Sequence, residues 1–506
     1  MMFAGFSLSL LTTAALVADR DVRLAEAVRR GDTALVASLV RQKVDVNAAE
    51  PDGSTALLWA AYRNDPATAR GLITAGANVN AANRLGVTPL LLAARHGNPQ
   101  LLEALLVAGA DPHTLYEDGE TSLMAAAASG SLESVNLMLT AGVDVNAKEQ
   151  AEGQDALMWA ADAGHLAVVQ RLLAVGANPK LVAHASSLPN VRGDGGRMWT
   201  NHSNKGLTAL MLAARQGHID VARALVKAGA PLDHANPDGV TTLMIAVMND
   251  RLDMAAMLIS EGASVNDGSL YELVHLHNLR TNETVSEATR PRPTHENATT
   301  PVDLANAMLE RGADPNRVAT HTLNIDGTGV PEPLNETPFV RALRSQDVAM
   351  LRLLVAKGAN VNTATAGGQL PMTLAMGLGR PPFSGGFGVA PGPYRFDGER
   401  TPIDAVKLLI EAGADVNATA PSGDSPMHAA AQSGDVEIIT LLAGRGATLD
   451  VRNNAGFTPL DVAMGKQPPT SGRGGGGAGP PPGPRSQPRA VAALRKLMGL
   501  PEAENN

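Results

Sequence analysis

Residues 88–113 read TPLLLAARHGNPQLLEALLVAGADPH and define a unit of structure that returns along the whole chain. The opening Thr-Pro suits a helix start, because a Thr hydroxyl caps a free amide and Pro has no amide to leave unbonded. A short Ala- and Leu-rich segment follows, and Gly97 interrupts it. A second Leu-rich segment ends at Gly109, where glycine provides the left-handed backbone that often ends a helix. The stretch therefore predicts two short antiparallel helices and a polar tip that leads to the next unit.

Two signals repeat this unit in phase. A tip signal, Gly-Ala followed by Asn or a variant, has a degenerate first copy at Lys43 and recurs every 33 residues as far as Gly142. Its full copies stand at Gly76, Gly109, Gly142, Gly176, Gly229, Gly262, Gly312, Gly358, Gly413 and Gly446. A helix-start signal precedes Leu- or Ala-rich segments at Thr55, Thr88, Thr121, Asp155, Thr208, Thr241, Thr337, Ser425 and Thr458. The longer steps between later copies indicate a regular array with long insertions.

Length, phase and both signals resemble the ankyrin repeat. The resemblance implies an all-α solenoid of about ten full helix-turn-helix repeats with atypical end caps, covering residues 19–499 and leaving a tail at 500–506. The His of the family's Thr-Pro-Leu-His signature stands only at His428, and Leu or Met replaces it at Leu58, Leu91, Met124, Met158, Met211 and Met244. We therefore expect weaker polar networks between repeats.

Five inserts interrupt the predicted array, at about 180–205, 280–300, 317–336, 377–400 and 467–489, and their Gly- and Pro-rich runs predict flexible segments. The insert at 377–400 holds four of the fourteen aromatic residues: Phe383, Phe387, Tyr394 and Phe396. Trp199 stands in the first insert. These rings could anchor a partner protein or fold back over an exposed edge of the solenoid, and the sequence leaves both alternatives open.

Residues 1–18 read MMFAGFSLSLLTTAALVA and carry no charge. Such a segment is typical of a secretory signal with cleavage after Ala18, although the positively charged start of such signals is missing. A misplaced start codon, a hydrophobic N-terminal extension and a short membrane-spanning helix are the alternatives. With the Cys-free, Ala- and Gly-rich repeats, the segment favours an exported, bacterial-type protein of the periplasm or extracellular space; the cytoplasm is the alternative location.

Composition excludes several kinds of site. The 506 residues contain no Cys, which excludes disulfides, thiolate zinc sites and cysteine nucleophiles. The formal net charge of −9 argues against a nucleic-acid partner for the whole chain. No phosphate-binding glycine loop or zinc-protease motif occurs. His275 and His277 form a His-x-His pair, but residues two apart on a helix point in different directions. We expect no catalytic residues, cofactor or metal, and no membrane span after signal removal.

The resemblance implies a non-catalytic scaffold that binds a partner protein through the concave face and the turn tips of the array. By their place in the repeat, the candidate contact residues are Asn83, Arg84, Tyr116, Glu117, Lys148, Glu149, Asn236, Asp238, Asn453 and Asn454, with the insert aromatics Trp199, Phe383, Phe387, Tyr394 and Phe396. An accessory or inhibitor subunit that masks one enzyme is the alternative, and an enzyme with its site in the inserts is a remote one. A monomer is expected.

Overall fold

A computed structural model of the chain describes residues 21–116, 118–184, 206–281, 296–319, 336–377, 402–466 and 486–501, with the backbone alone for 278–281. The signal-like segment 1–18 and most residues of the five inserts lie outside these ranges, as do Glu117, Trp199 and the four aromatics of the 377–400 insert. The described residues fall into two units. Unit 1 contains those up to 184 with 206–213 and 220–231, and unit 2 contains 214–219 and those from 232 onward.

Twenty-four α-helices account for the regular structure of the described ranges, where no extended strand occurs. Unit 1 contains α1 Arg23–Arg30, α2 Thr33–Arg41, α3 Ala56–Tyr62, α4 Pro66–Thr74, α5 Pro89–Arg95, α6 Pro99–Val107, α7 Ser122–Ser129, α8 Leu132–Thr140, α9 Ala156–Ala163 and α10 Leu166–Ala174. Two further helices are α11 Ala209–Gln216 and α12 Ile219–Lys227. Unit 2 contains α13 Thr242–Met248, α14 Leu252–Ser260, α15 Ser269–Thr281, α16 Pro301–Glu310, α17 Pro338–Ser345, α18 Val348–Ala356, α19 Pro371–Ala375, α20 Pro402–Glu411, α21 Pro426–Ser433, α22 Val436–Gly444, α23 Pro459–Ala463 and α24 Pro488–Leu497. The predicted all-helical class is confirmed.

The repeated Thr caps the start of most first helices, as the sequence predicts. The Thr88 hydroxyl accepts a hydrogen bond from the Leu91 amide at 3.3 Å, and Pro89 then opens α5. Asp155 makes the same cap with the Met158 amide at 2.8 Å. A cap of this kind satisfies one of the amides that a helix start leaves unbonded.

Within each unit the helices pack in two layers. In unit 1 the first helices α1, α3, α5, α7 and α9 pack on one another in order, and the second helices α4, α6, α8 and α10 form the other layer. In unit 2 the odd-numbered helices α13 to α23 and the even-numbered helices α14 to α24 do the same. Each unit is therefore a stack of helix pairs, the arrangement that repeat proteins use to bury a continuous core.

The core lies between the two layers and consists of small and aliphatic side chains. Leu90, Leu91 and Ala94 of α5 and Leu101 and Leu105 of α6 are each at most 1% exposed. Because Ala dominates one side of the first helices, neighbouring helices approach closely and large rings are not needed.

Three helix pairs flank long inserts, and their members still pack on each other. Helix α15 contacts α16, α19 contacts α20, and α23 contacts α24. Among the helices of the described residues, none has the length and apolar character needed to cross a membrane.

Candidate protein-binding surface

A loop of five residues, closed by backbone hydrogen bonds, precedes most first helices and forms the tip of the repeat. In the tip before α3, the Glu50 amide donates to the Ser54 carbonyl at 2.9 Å. The tip before α5 has the same bond, from the Asn83 amide to the Val87 carbonyl at 3.1 Å. We call the surface formed by the first helices and the adjoining tips of a unit its first-helix face.

On the first-helix face of unit 1, Trp59 joins the tip to two helices. Its Nε1 donates to Glu50 Oε2 at 2.9 Å, and its ring meets the Tyr62 ring edge-on at 5.5 Å between centroids. The guanidinium carbon of Arg29 on α1 lies 5.6 Å from the Trp59 ring centroid, within cation–π range. Arg29 Nη2 is also 3.6 Å from Glu50 Oε1. The Glu50 carboxylate therefore holds both Arg29 and Trp59 in position.

A second arginine of this face is held by two hydrogen bonds. Arg95 at the end of α5 donates from Nε to Glu120 Oε1 at 3.2 Å and from Nη2 to Glu120 Oε2 at 2.5 Å. The Arg95 side chain is 49% exposed and that of Glu120 is 11% exposed. The guanidinium therefore faces solvent and the carboxylate lies beneath it.

Four of the residues predicted to contact a partner are buried and bonded within the chain. The Tyr116 hydroxyl is 2.8 Å from Thr88 Oγ1 and 3.3 Å from Ser122 Oγ. The Glu149 carboxylate accepts amide hydrogen bonds from Ala151, Glu152 and Gln154. Asn236 and Asn453 each accept, through Oδ1, amide hydrogen bonds from the residues two and four positions later. These four side chains shape the tips from inside.

The remaining described candidates are more accessible. Arg84, Asp238 and Asn454 are exposed, and Asn83 and Lys148 are half-buried. Lys148 Nζ donates to the Val182 carbonyl at 2.7 Å, and Asn454 Nδ2 donates to the Pro421 carbonyl at 2.9 Å. The predicted contact at Glu117, Trp199 and the four aromatics of the 377–400 insert concerns residues outside the described ranges. No measurement tests any of these contact predictions.

An asparagine stands four residues after most tip glycines, and it has a role that the sequence alone does not reveal. Asn80 Nδ2 donates to the Gly109 carbonyl at 3.1 Å, and its Oδ1 accepts from the Asp111 amide at 2.8 Å. Both partners belong to the following repeat. The same pair of bonds is made by Asn47, Asn146, Asn266, Asn316, Asn362 and Asn417. We call these residues asparagine bridges.

In unit 2 the first helices α15 and α17 carry polar side chains where other first helices carry apolar ones. Glu272 and His275 of α15 are 3% and 8% exposed. Among the residues that the structure describes, Glu272 Oε2 and His275 Nδ1 find no hydrogen-bond partner. Burial raises the pKa of Glu272 to about 8, against the opposing charge of Arg341 on α17. Burial, reinforced by Arg341, lowers the pKa of His275 well below its ordinary value. Both side chains are therefore neutral near pH 7.

The two histidines of the His-x-His pair make separate contacts. His275 stacks on the ring of Tyr271 with 6.1 Å between ring centroids, whereas His277 Nε2 lies 3.2 Å from Asp347 Oδ2 on another repeat. Within the described ranges, no group of three or more His, Asp or Glu side chains is placed to hold a metal ion.

Comparison with known proteins identifies the family. A family model described as "Ankyrin repeats (3 copies)" matches residues 24–115, 90–183, 192–269 and 399–469, more than half of the chain. The chain belongs to the ankyrin-repeat family. Its helix pairs are therefore ankyrin repeats, and its fold is that of a protein–protein interaction module.

Three curated relatives align with parts of this ankyrin array. Ankyrin repeat and SOCS box protein 11 of Mus musculus is 44% identical over 64 residues, 13% of this chain and 20% of the relative. BRCA1-associated RING domain protein 1 of Caenorhabditis elegans is 28% identical over 129 residues, 25% of this chain and 15% of the relative. Ankyrin repeat domain-containing protein 63 of Mus musculus is 33% identical over 167 residues, 32% of each chain. The similarity thus spans a third or less of each of these relatives.

Proposed function

We propose that the ankyrin array is a non-catalytic scaffold that binds a partner protein through its first-helix faces and tips. One observation carries the proposal: on the first-helix face of unit 1, large apolar and aromatic side chains project into solvent and do not contribute to the core. Tyr62 is 59% exposed, Leu85 is 63% exposed and the Arg29 side chain is 46% exposed. Tyr, Trp and Arg are the residue types enriched at the energetic centres of protein interfaces.

The frame beneath these side chains suits recognition. The asparagine bridges join consecutive repeats through side chains bonded to backbone, and Glu149, Asn236 and Asn453 hold their own tips in shape. Such a frame holds the exposed side chains in place before a partner arrives. Binding then orders few additional groups, which limits the entropy lost on association.

Capture of the native partner by the immobilised full chain tests the proposal. Two sets of single substitutions are compared: Leu85→Asp, Asp238→Lys and Asn454→Lys on the first-helix faces, and Arg70→Glu, Val107→Asp and Glu133→Lys on second helices. All six residues are exposed. Loss of the partner is expected with at least one substitution of the first set and with none of the second. Loss only with the second set contradicts the proposal. If the captured partner is an enzyme whose activity falls on binding, the array is an inhibitor of that enzyme.

The aromatic insert at 377–400 is proposed as an additional anchor for the partner. Its four aromatic residues support this, since aromatic side chains provide large contact areas. Capture with the full chain is compared with capture by a chain that lacks residues 377–400. Weaker retention is expected without the insert. Equal retention of every partner would show that the insert is not an anchor.

We also propose that the chain is exported to the periplasm or extracellular space and acts there as a monomer. The uncharged segment 1–18 is the support for export. The relatives described above are animal proteins, so they do not support the exported, bacterial type expected from the sequence. Mass spectrometry of the mature protein tests the export, and a chain that begins at Asp19 is the expected form. Recovery of an intact Met1 in the cytosolic fraction contradicts it. Light scattering of the mature protein tests the monomer, and a dimer mass contradicts that part alone.

A further inference from the structure

Three side chains of unit 1 occupy one position in three successive repeats. Arg29, Tyr62 and Arg95 are separated by one period each; Arg29 is the last residue but one of α1, and Tyr62 and Arg95 are the last residues of α3 and α5. Because α1 packs on α3 and α3 packs on α5, the three side chains form a row across the first-helix face. We call this row the Arg–Tyr–Arg row. The exposed fractions of Arg29, Tyr62 and Arg95 are 46%, 59% and 49%.

The row presents positive charge even though each arginine has a carboxylate neighbour. Glu50 and Glu120 are only 11% exposed, so they lie under the guanidinium groups. Two nitrogens of Arg95 face Glu120, and a guanidinium has five N–H groups, so donors remain for a partner. The buried carboxylates thus orient the arginines while the solvent side of the row stays cationic.

Two further arginines, Arg63 and Arg84, lie in the same three repeats of unit 1. Arg63 follows Tyr62 and donates from Nη1 to the Arg29 carbonyl at 3.2 Å, which holds its guanidinium beside the row. Arg84 is exposed on the tip before α5, next to the exposed Leu85, and its amide donates to the carbonyl of the exposed Asp52 at 2.8 Å, so this carboxylate partly offsets its charge. The corresponding positions of the next two repeats are Ala128 and Asp162, so the positive surface ends with the third repeat.

The geometry points to one kind of occupant: we propose that the Arg–Tyr–Arg row binds an extended acidic peptide segment of a partner protein. An apolar or aromatic side chain of this segment would lie on the Tyr62 and Trp59 rings, and a carboxylate on each side would pair with Arg29 and Arg95. Neighbouring packed helices lie up to about 10 Å apart, which places the two arginines about 20 Å apart. An extended chain advances about 3.3 Å per residue, so the two carboxylates are about six residues apart. This inference rests on the proposed function and specifies the partner's chemistry.

Single-stranded nucleic acid is the other polymer that combines negative charge with stacking groups. The peptide is favoured for two reasons. The chain carries a net charge of −9, which opposes a long polyanion. The row also ends after three repeats, since Ala128 and Asp162 hold the equivalent positions of the next two repeats, which fits a short segment better than a continuing strand.

Fluorescence polarisation with the full chain tests the proposal. The probe is a fluorescein-labelled peptide with two Glu residues six positions apart, a central Trp and Ser or Gly elsewhere. The same peptide with Gln in place of both Glu, and a thymidine oligonucleotide of equal length, are the comparison probes. Saturable binding of the Glu peptide is expected. The Gln peptide should bind at least about 3-fold more weakly, which is the effect of exposed charge pairs.

Variants locate the site. Tyr62→Ala should weaken binding about 10-fold, as loss of a central aromatic contact does. Arg29→Gln combined with Arg95→Gln should abolish the preference for Glu over Gln peptides. Arg70→Gln on the outer helix α4 is the matched control and should leave the affinity unchanged. Because loss of Arg95 leaves Glu120 without this partner, the paired arginines are also replaced by Lys, which should restore the preference for the Glu peptide while circular dichroism shows an intact fold.

Each outcome is decisive. Absence of saturable binding of the Glu peptide, equal affinity for the Gln peptide, or unchanged affinity in Tyr62→Ala overturns the proposal. Tighter binding of the oligonucleotide than of the Glu peptide overturns it in favour of nucleic acid. Failure of the peptide proposal can be distinguished from failure of the scaffold function. If the peptide does not bind, the partner can still be captured through other parts of either first-helix face.

Discussion

Asn80 shows how single residues hold consecutive repeats together. Its amide group bonds the Gly109 carbonyl and the Asp111 amide of the next repeat while remaining exposed to solvent. The sequence contains the signal, since Asn recurs four residues after the tip glycine. Its partners lie 29 and 31 residues ahead, and only the stacking of one repeat on the next shows that they meet.

The asparagine bridge predicts a stability difference between two equivalent positions. Asn80→Ala should lower the free energy of unfolding by about 1–2 kcal/mol, because two hydrogen bonds between repeats are lost. His113 holds the corresponding position of the next repeat and is exposed. His113→Ala should be close to neutral, and His113→Asn should raise stability by about 1 kcal/mol by adding a bridge. Urea denaturation followed by circular dichroism measures all three. A destabilising His113→Asn would contradict the assigned role.

At the scale of elements, the helix starts could be read from the sequence more fully than the contacts between repeats. Thr55, Thr88 and Thr121 cap first helices where expected. Asp65 and Asn98 cap the second helices α4 and α6, and these caps were not predicted from the sequence, although residues that follow a turn commonly cap the next helix. It also could not place Tyr116 against Thr88, because that contact depends on how far one repeat is rotated on its neighbour.

A comparison of two Thr caps separates the stability due to a hydrogen bond between repeats from the stability due to the cap itself. Thr88→Val removes the cap of α5 and the hydrogen bond to Tyr116, whereas Thr55→Val removes the cap of α3 alone. We expect losses of about 2 kcal/mol and about 1 kcal/mol in the free energy of unfolding. In a Tyr116→Phe background, Thr88→Val should cost no more than Thr55→Val does. Thermal denaturation of the four variants measures this, and equal losses for both Thr substitutions in the unaltered background would refute the bridging bond.

Helix α15 predicts a pH dependence of unit 2. The pKa of Glu272 is about 8 in the folded chain and 4.5 ordinarily, so the unfolded chain ionises first as pH rises. Stability should therefore fall between about pH 4.5 and pH 8 because of this group. Glu272→Gln removes the effect, and its advantage over the unaltered chain should grow to a few kcal/mol across that range. The lowered pKa of His275 penalises the folded state as pH falls below 6.5, but it does so in both proteins and cancels in the comparison.

Urea midpoints of unit 2 at pH 5 and pH 8 measure the Glu272 effect. Glu411→Gln at the exposed end of α20 is the control and should give the same difference from the unaltered chain at both values. An advantage of Glu272→Gln that is constant with pH would show that Glu272 ionises alike in both states.

For the whole molecule, the family and the helical repeats could be predicted from the sequence, because short motifs recur with a period of 33 residues and each motif lies within one repeat. The candidate contact residues were harder to predict. Tip positions include both buried residues, such as Tyr116 and Glu149, and exposed ones, such as Arg84. Residues of these types can serve either purpose, and only the packing of the tips distinguishes them. Arg29, Tyr62 and Arg95 were not selected from the sequence, although their spacing of 33 was visible there.

Site-specific photo-crosslinking tests the central claim most directly, namely that partners bind the first-helix faces. A benzophenone amino acid is placed at Leu85 on a tip of unit 1, at Asp238 on a tip of unit 2, and at Val107 on a second helix, all exposed positions. The full chain is irradiated with its captured partner, and the adducts are identified by mass spectrometry. The account predicts adducts from at least one tip position and none from Val107. Adducts from Val107 alone would contradict it.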